Sequence, residues 1–201
     1  AAGMAGGSTD AAAVLVGVNR MFDLGFTKKE LMERGVKLGA DVPYCIMRGT
    51  ALSEGIGEIL TELPAPPQCH LVIAKPQISV STKAVYGKLR VNELAPEEHP
   101  DIDGMMAAIK NGDLDGVIER LGNVLETVTV PDHPEIARIK EIMVENGACG
   151  SLMSGSGPTV FGIYKDRELA EKACQALREA DGGRLTRQVY LTEFYNRKKA
   201  R

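Results

Sequence analysis

The sequence contains no tryptophan, and aromatic residues make up only 4% of its 201 positions. Surfaces that stack the bases of single-stranded nucleic acid need more aromatic side chains than that. A net charge of −3 argues against the broad basic face that holds nucleic acid or an anionic membrane. The four cysteines, Cys45, Cys69, Cys149 and Cys174, include no C-x-x-C pair, and His70, His99 and His133 form no ligand cluster. A zinc site or a disulfide framework is therefore not expected, and reduced cysteines in a cytoplasmic protein are the simplest reading. No apolar run is long enough to span a bilayer. The Walker A pattern G-x-x-x-x-G-K-[ST] is missing, as is G-x-G-x-x-G.

Hydrophobic residues at 44% and charged residues at 25% suit a globular chain that buries a real core. The length allows one large or two small domains. The chain opens directly on AAGMAGGSTDAAA, without an initiator methionine. A glycine-rich loop needs flanking elements to hold it, so a preceding segment is expected upstream.

Ala11 to Leu24 is almost wholly apolar and alanine-rich, which predicts a buried helix with Ser8 or Thr9 as N-cap and Asp10 in its first turn. Thr27-Lys28-Lys29-Glu30 is a capping-box pattern opening a second helix that would stop at Gly39. Ala40 to Tyr44 reads as a buried loop, with Pro43 pushing Val42 toward an extended conformation. Glu58 to Leu63 suits a short strand. Pro64, Pro66 and Pro67 then mark a domain boundary, giving an N-terminal lobe over residues 1–65 and a C-terminal lobe over 66–201.

In the second lobe, His70 to Ala74 is a candidate strand. Helices are predicted near Thr82 to Lys88, Ile102 to Lys110, Leu114 to Leu125 and Glu135 to Glu145. Two strands, Ser151 to Met153 and Val160 to Tyr164, follow. A helix over Glu168 to Ala180 capped by Asp166, a last strand over Gln188 to Phe194 and a basic tail from Arg197 to Arg201 complete the chain. The order strand, helices, strand, strand, helix, strand is the split β-α-β, or ferredoxin-like, pattern, so the fold class is α+β.

Four segments carry candidate chemistry. Gly3 to Thr9 brings small residues and two hydroxyls to a helix N-terminus, where backbone N–H groups approach an anion closely; the alternative is a simple capping turn. Asp41 is an acid among apolar neighbours, suited to accepting or orienting a hydroxyl proton in phosphoryl transfer; the alternative is an aspartate that caps a turn or pairs with a lysine. Ser154-Gly155-Ser156-Gly157 is either a hairpin turn or a second phosphate-facing loop, and it fails the G-x-S-x-G elbow. Ser81 or Thr82 would start a helix that carries Tyr86 one turn later, and a core or half-buried packing role for Tyr86 is the plainer reading of the residues alone.

Taken together and in this order, these segments resemble the GHMP small-molecule kinases. AGMAGGSTDAAA is similar to the glycine-rich second motif of that family, and MSGSGPTVFGIY to its third. LGADVPY and KPQISVSTKAVY resemble segments of the members that act on a cytidylated methylerythritol. The resemblance runs from Ala1 to about Phe194. It implies a two-lobed fold, with an incomplete N-terminal lobe like ribosomal protein S5 domain 2 and a ferredoxin-like C-terminal lobe.

It also implies ATP, with Mg²⁺, as phosphoryl donor, and the 2-hydroxyl of the cytidylated methylerythritol as acceptor, in non-mevalonate isoprenoid precursor biosynthesis. Ala1, Ala2, Gly3, Met4, Ala5, Gly6, Gly7, Ser8 and Thr9 would wrap the ATP phosphates. Asp41 would be the catalytic carboxylate. Thr82 would lie near the substrate, and Tyr86 would stack on its cytosine. Ser154, Gly155, Ser156 and Gly157 would support the phosphate loop. The family's catalytic lysine, an aromatic-histidine segment and the proline that opens the second motif are all expected upstream of Ala1. Another GHMP kinase, of the mevalonate, homoserine or shikimate type, and a non-catalytic piece of the fold are the competing readings.

Overall fold

The computed structural model describes residues 3–195. The basic tail noted above, with the rest of 196–201, and Ala1 and Ala2 lie outside them. The chain divides into two compact units, one spanning residues 5–65, the other comprising 3–4 and 66–195.

The first unit contains helices α1 (Gly6–Met21), α2 (Lys28–Gly35) and α3 (Val42–Met47), then a hairpin of β1 (Thr50–Glu54) and β2 (Ile59–Leu63). Its core joins Ala12 of α1, Leu31 of α2 and Val42 and Ile46 of α3, with Leu15, Val16 and Phe26 packed against them. The capping box at α2 forms as expected. The Glu30 backbone N–H donates to Thr27 Oγ1 at 3.3 Å, and the Thr27 N–H donates to Glu30 Oε2 at 2.8 Å. Gly35 lets α3 approach, since a Cβ there would meet Val42 Cγ1 at 2.9 Å.

Four expectations are corrected in this unit. Helix α1 begins at Gly6, so neither Ser8 nor Thr9 is its N-cap and Asp10 lies beyond its first turn. Nor is α1 a buried helix: Ala12 is its one buried residue, because its apolar side chains occupy two faces and the core takes one. Helix α2 ends at Gly35, not at Gly39. The expected loop around Val42-Pro43 is the first turn of α3, where a proline forfeits no helical hydrogen bond. Val42 and Pro43 are nevertheless buried, as their composition suggested.

The second unit is built on a four-stranded antiparallel sheet of β3 (His70–Pro76), β4 (Gly150–Met153), β5 (Val160–Tyr164) and β6 (Thr186–Glu193), in the order β4-β5-β3-β6. Val72 of the central strand pairs with Gly162 on one side and Leu191 on the other. The intervening helices are α4 (Thr82–Lys88), α5 (Ile102–Asn111), α6 (Leu114–Glu119), α7 (Glu126–Asp132), α8 (Pro134–Glu145) and α9 (Arg167–Gly183). This is the ferredoxin-like order, and the chain is α+β.

Helices α8 and α9 bury single stripes at helical spacing, Ile136, Ile139, Ile142 and Met143 on one, Ala170, Ala173, Cys174 and Leu177 on the other. A smaller cluster around Cys69, Leu71 and Ile163 packs with Leu114 and Ile118 of α6. Asp166 caps α9 as expected, accepting from the Glu168 and Leu169 N–H groups at 2.7 and 3.2 Å. The expected helix over Leu114 to Leu125 is corrected. It stops at Glu119, and a separate α7 follows with Leu125 at its N-cap; the Leu125 N–H donates to Asn123 Oδ1 at 3.0 Å.

Candidate functional site

In the second unit, the β4–β5 connection closes on itself. The Ser154 N–H donates to the Thr159 carbonyl at 2.8 Å and the Gly157 N–H to the Ser154 carbonyl at 2.9 Å. Gly155 and Gly157 take φ of +55° and +84°, a region that favours glycine. At Gly157 a Cβ would also strike Met153 Sδ at 2.6 Å, whereas around Gly155 there is open space. The turn is thus a hairpin whose tip leaves room for a partner.

Two hydroxyls of this turn reach other predicted site residues. Ser154 Oγ donates to the Gly3 carbonyl at 2.5 Å. Ser156 Oγ and Thr82 Oγ1 are 2.8 Å apart. Thr82 opens α4, behind the Ser81 N-cap, whose side chain accepts from the Ala84 N–H at 3.3 Å. Tyr86 lies one turn further along and is 61% exposed, while its neighbour Val85 is buried. Tyr86 is therefore not a core residue. Gly3, Thr82 and Ser154 to Gly157 form one cluster, with Tyr86 on the same helix as Thr82.

In the first unit, α1 starts bare. Its N-cap is Ala5, in the left-handed region at φ 46° and ψ 32°, and no side chain caps the helix. The first N–H groups of an α-helix lack intrahelical partners and sit at its positive end. Nothing lies within 4 Å of the place a Cβ would occupy on Gly6 or Gly7. Glycine costs a helix about 1 kcal/mol against alanine. Among the described residues no packing asks for it at these two positions, and an anion seated on the helix end would. Thr9 turns its hydroxyl back to the Ala5 carbonyl at 3.0 Å. The Gly39 segment runs past this helix end, since a Cβ on Gly39 would lie 4.0 Å from Ser8 Oγ.

Asp41 follows two residues later, at the N-cap position of α3. Its carbonyl accepts from the Cys45 N–H at 3.1 Å, but its side chain makes no cap bond. The carboxylate is exposed and, among the described residues, forms no ion pair. Neither a capping nor a lysine-pairing role accounts for it. Also among the described residues, no three histidine, cysteine or acidic side chains converge into a metal cage.

Sequence reasoning missed Asn123, Glu126 and Thr129, all of which hold the β4–β5 turn from the α6–α7 side. Asn123-Val124-Leu125-Glu126 carries the spacing of a capping box, and that signal could have found the first two.

Two family models match the chain: GHMP kinases N terminal domain over residues 1–49 and GHMP kinases C terminal over residues 105–182. The chain belongs to the GHMP kinases. Among curated relatives, it is 56% identical over 195 residues to the 4-diphosphocytidyl-2-C-methyl-D-erythritol kinase of Lachnospira eligens, covering 97% of this chain and 66% of that protein. It is 52% identical over 198 residues to the kinase of the same name from Lachnoclostridium phytofermentans, covering 98% and 66%. The chain thus spans just under two thirds of the length of these relatives. Of solved structures, a 4-(cytidine 5'-diphospho)-2C-methyl-D-erythritol kinase matches with a TM-score of 0.77 at 29% identity, over 96% of this chain and 66% of that one. A homoserine kinase from Cytophaga hutchinsonii matches with a TM-score of 0.80 at 20% identity, over 97% and 66%, a likeness of fold.

Proposed function

We propose that this protein transfers the γ-phosphoryl group of ATP to the 2-hydroxyl of 4-diphosphocytidyl-2-C-methyl-D-erythritol, a step in non-mevalonate isoprenoid precursor biosynthesis. The observation that carries this reading is the 56% identity, over 97% of the chain, to a kinase of that name. The geometry supports it. The uncapped start of α1, with open space at Gly6 and Gly7, suits the phosphates of ATP. The exposed, unpaired carboxylate of Asp41 suits a group that orients the acceptor hydroxyl and takes its proton as the new O–P bond forms and ADP departs. The exposed ring of Tyr86 suits a stack on cytosine, with Thr82 beside it for a polar contact.

Magnesium in kinases is held largely by substrate phosphates with one or two carboxylates, so a Mg²⁺ arriving with ATP would need few ligands from the protein. Bound there, it would neutralise developing charge on the phosphates. A cytoplasmic location goes with this reading; no described helix is long and apolar enough to cross a membrane.

The test is a panel of acceptors offered with ATP to the protein expressed from its complete coding region. ³¹P NMR should show a new phosphomonoester with the cytidylated methylerythritol and none with mevalonate or homoserine. Transfer to either of those instead would assign the protein to another branch of the family.

A further inference from the structure

The β4–β5 turn is held by side chains from a segment that sequence reasoning passed over. The Asn123 amide uses both of its protons on this turn, donating at 2.8 Å to the Met153 carbonyl and at 2.8 Å to the Gly155 carbonyl. Its oxygen accepts the Leu125 N–H, so the amide orientation is fixed by its three partners. Glu126, the first residue of α7, accepts the Met153 N–H through Oε1 at 2.7 Å and the Lys140 ammonium through Oε2 at 2.6 Å. Its side chain is only 19% exposed. Thr129, one turn along α7, donates to the Ser156 carbonyl at 3.3 Å.

A hairpin turn closed by its own backbone bonds does not need this. The turn already has two such bonds, between Ser154 and Thr159 and between Gly157 and Ser154. The added contacts fix where the turn sits on the rest of the unit. They grip the backbone at Met153, Gly155 and Ser156, next to the two residues whose hydroxyls reach Gly3 and Thr82. A shift of the turn would move both hydroxyls together. We infer that Asn123 and Glu126 are positioning residues: they set the β4–β5 turn so that Ser154 and Ser156 are presented to the Gly3 carbonyl and to the start of α4. This inference rests on the kinase reading above.

The experiment uses the protein from its complete coding region and three variants. Asn123→Asp keeps the acceptor for Leu125 but turns two donations into oxygen–oxygen repulsions. Glu126→Gln keeps an acceptor for the Met153 N–H and loses the charge opposite Lys140; Glu126→Ala loses both. Amide hydrogen exchange at Ser154 and Gly157 reads the turn directly, and steady-state kinetics read its consequence. Asn123→Asp and Glu126→Ala should speed exchange at these amides and lower kcat/KM for ATP by about tenfold or more, the scale of a lost buried hydrogen bond. Glu126→Gln should keep near-native kinetics while lowering Tm, a split that a purely structural role would not produce.

Unchanged exchange in Asn123→Asp and Glu126→Ala would overturn the inference. So would kinetics that follow Tm across all three variants, or kinetics untouched by a loosened turn. If the parent protein transferred no phosphate, the functional reading would fail instead, and exchange would still decide whether the brace exists.

Discussion

Ser154 Oγ donates a 2.5 Å hydrogen bond to the carbonyl of Gly3, joining the β4–β5 turn to a glycine 151 positions away in sequence. Gly3 holds φ +68°, and a Cβ there would run into the Ser154 carbonyl oxygen and lie 3.2 Å from that of Gly157. Gly3→Ala should therefore combine backbone strain of about 1–3 kcal/mol with a steric clash. It should raise the KM for ATP about tenfold. Ser154→Ala removes one hydrogen bond, worth about 1 kcal/mol, and should be milder. Steady-state kinetics with ATP varied would rank the two, and an equal or inverted ranking would show that the close approach at Gly3 is not needed.

Gly6 offers a cleaner probe, because the space a side chain would enter there is open. Gly6→Val adds a β-branched side chain to the first turn of α1, which the fold should tolerate, since valine is a better helix former than glycine and the space is open. A phosphate seated on the helix end would not tolerate it. The KM for ATP should rise strongly at unchanged Tm, with affinity for the cytidylated substrate much less affected. Equal loss of both would point to misfolding of the loop.

Tyr86→Ala should leave stability nearly unchanged, since the ring is exposed and packs on little of the protein. Loss of a base–aromatic stack costs about 1–3 kcal/mol, so affinity for the cytidylated substrate should fall about ten- to a hundredfold. Tyr86→Phe should be mild. Calorimetric titration separates these outcomes, and an unchanged affinity in Tyr86→Ala would remove Tyr86 from the site.

Burial, aided by the charge of Glu193, pushes the Cys69 thiol up from its ordinary 9.0 to about 11. Burial also raises Tyr164, whose hydroxyl donates to the Met143 carbonyl at 3.1 Å. Both groups are neutral when protonated, and the unfolded chain loses these protons at lower pH than the folded one. Their contribution is present in full below the unfolded value and lost as pH rises through the folded value. Stability to urea should show no loss from Cys69 up to about pH 9 and a decline from there towards about 11. Cys69→Ala should make that decline shallower, and an unchanged slope would contradict the assignment.

The strand order of the second unit was legible because β3 and β5 are compact apolar runs and α8 and α9 carry single stripes at helical spacing. The Thr27 and Asp166 caps were legible because the capping residue and its partners lie within a few positions. The start of α1 was not, because glycines that would ordinarily mark a loop form its first turn. Val42-Pro43 was misread because a proline that breaks helix interiors also suits a first turn. Strand β1 was overlooked, since Thr50 to Glu54 has little alternation and gains its identity from pairing with β2. The candidate site was legible where loops carry small residues and hydroxyls. Its support was not: Asn123 and Glu126 meet the turn only through folding, about thirty residues away in the chain.

The most direct test of the account concerns Asp41. Its side chain makes no cap bond, so Asp41→Asn should fold with an unchanged Tm. Rapid-quench measurement of phosphoryl transfer, with ATP and the cytidylated methylerythritol both saturating, isolates the chemical step. The account predicts a rate about a hundredfold or more below wild type, with both substrates still bound. A rate within a few-fold of wild type would contradict it, and the carboxylate that serves the acceptor hydroxyl would have to be sought elsewhere.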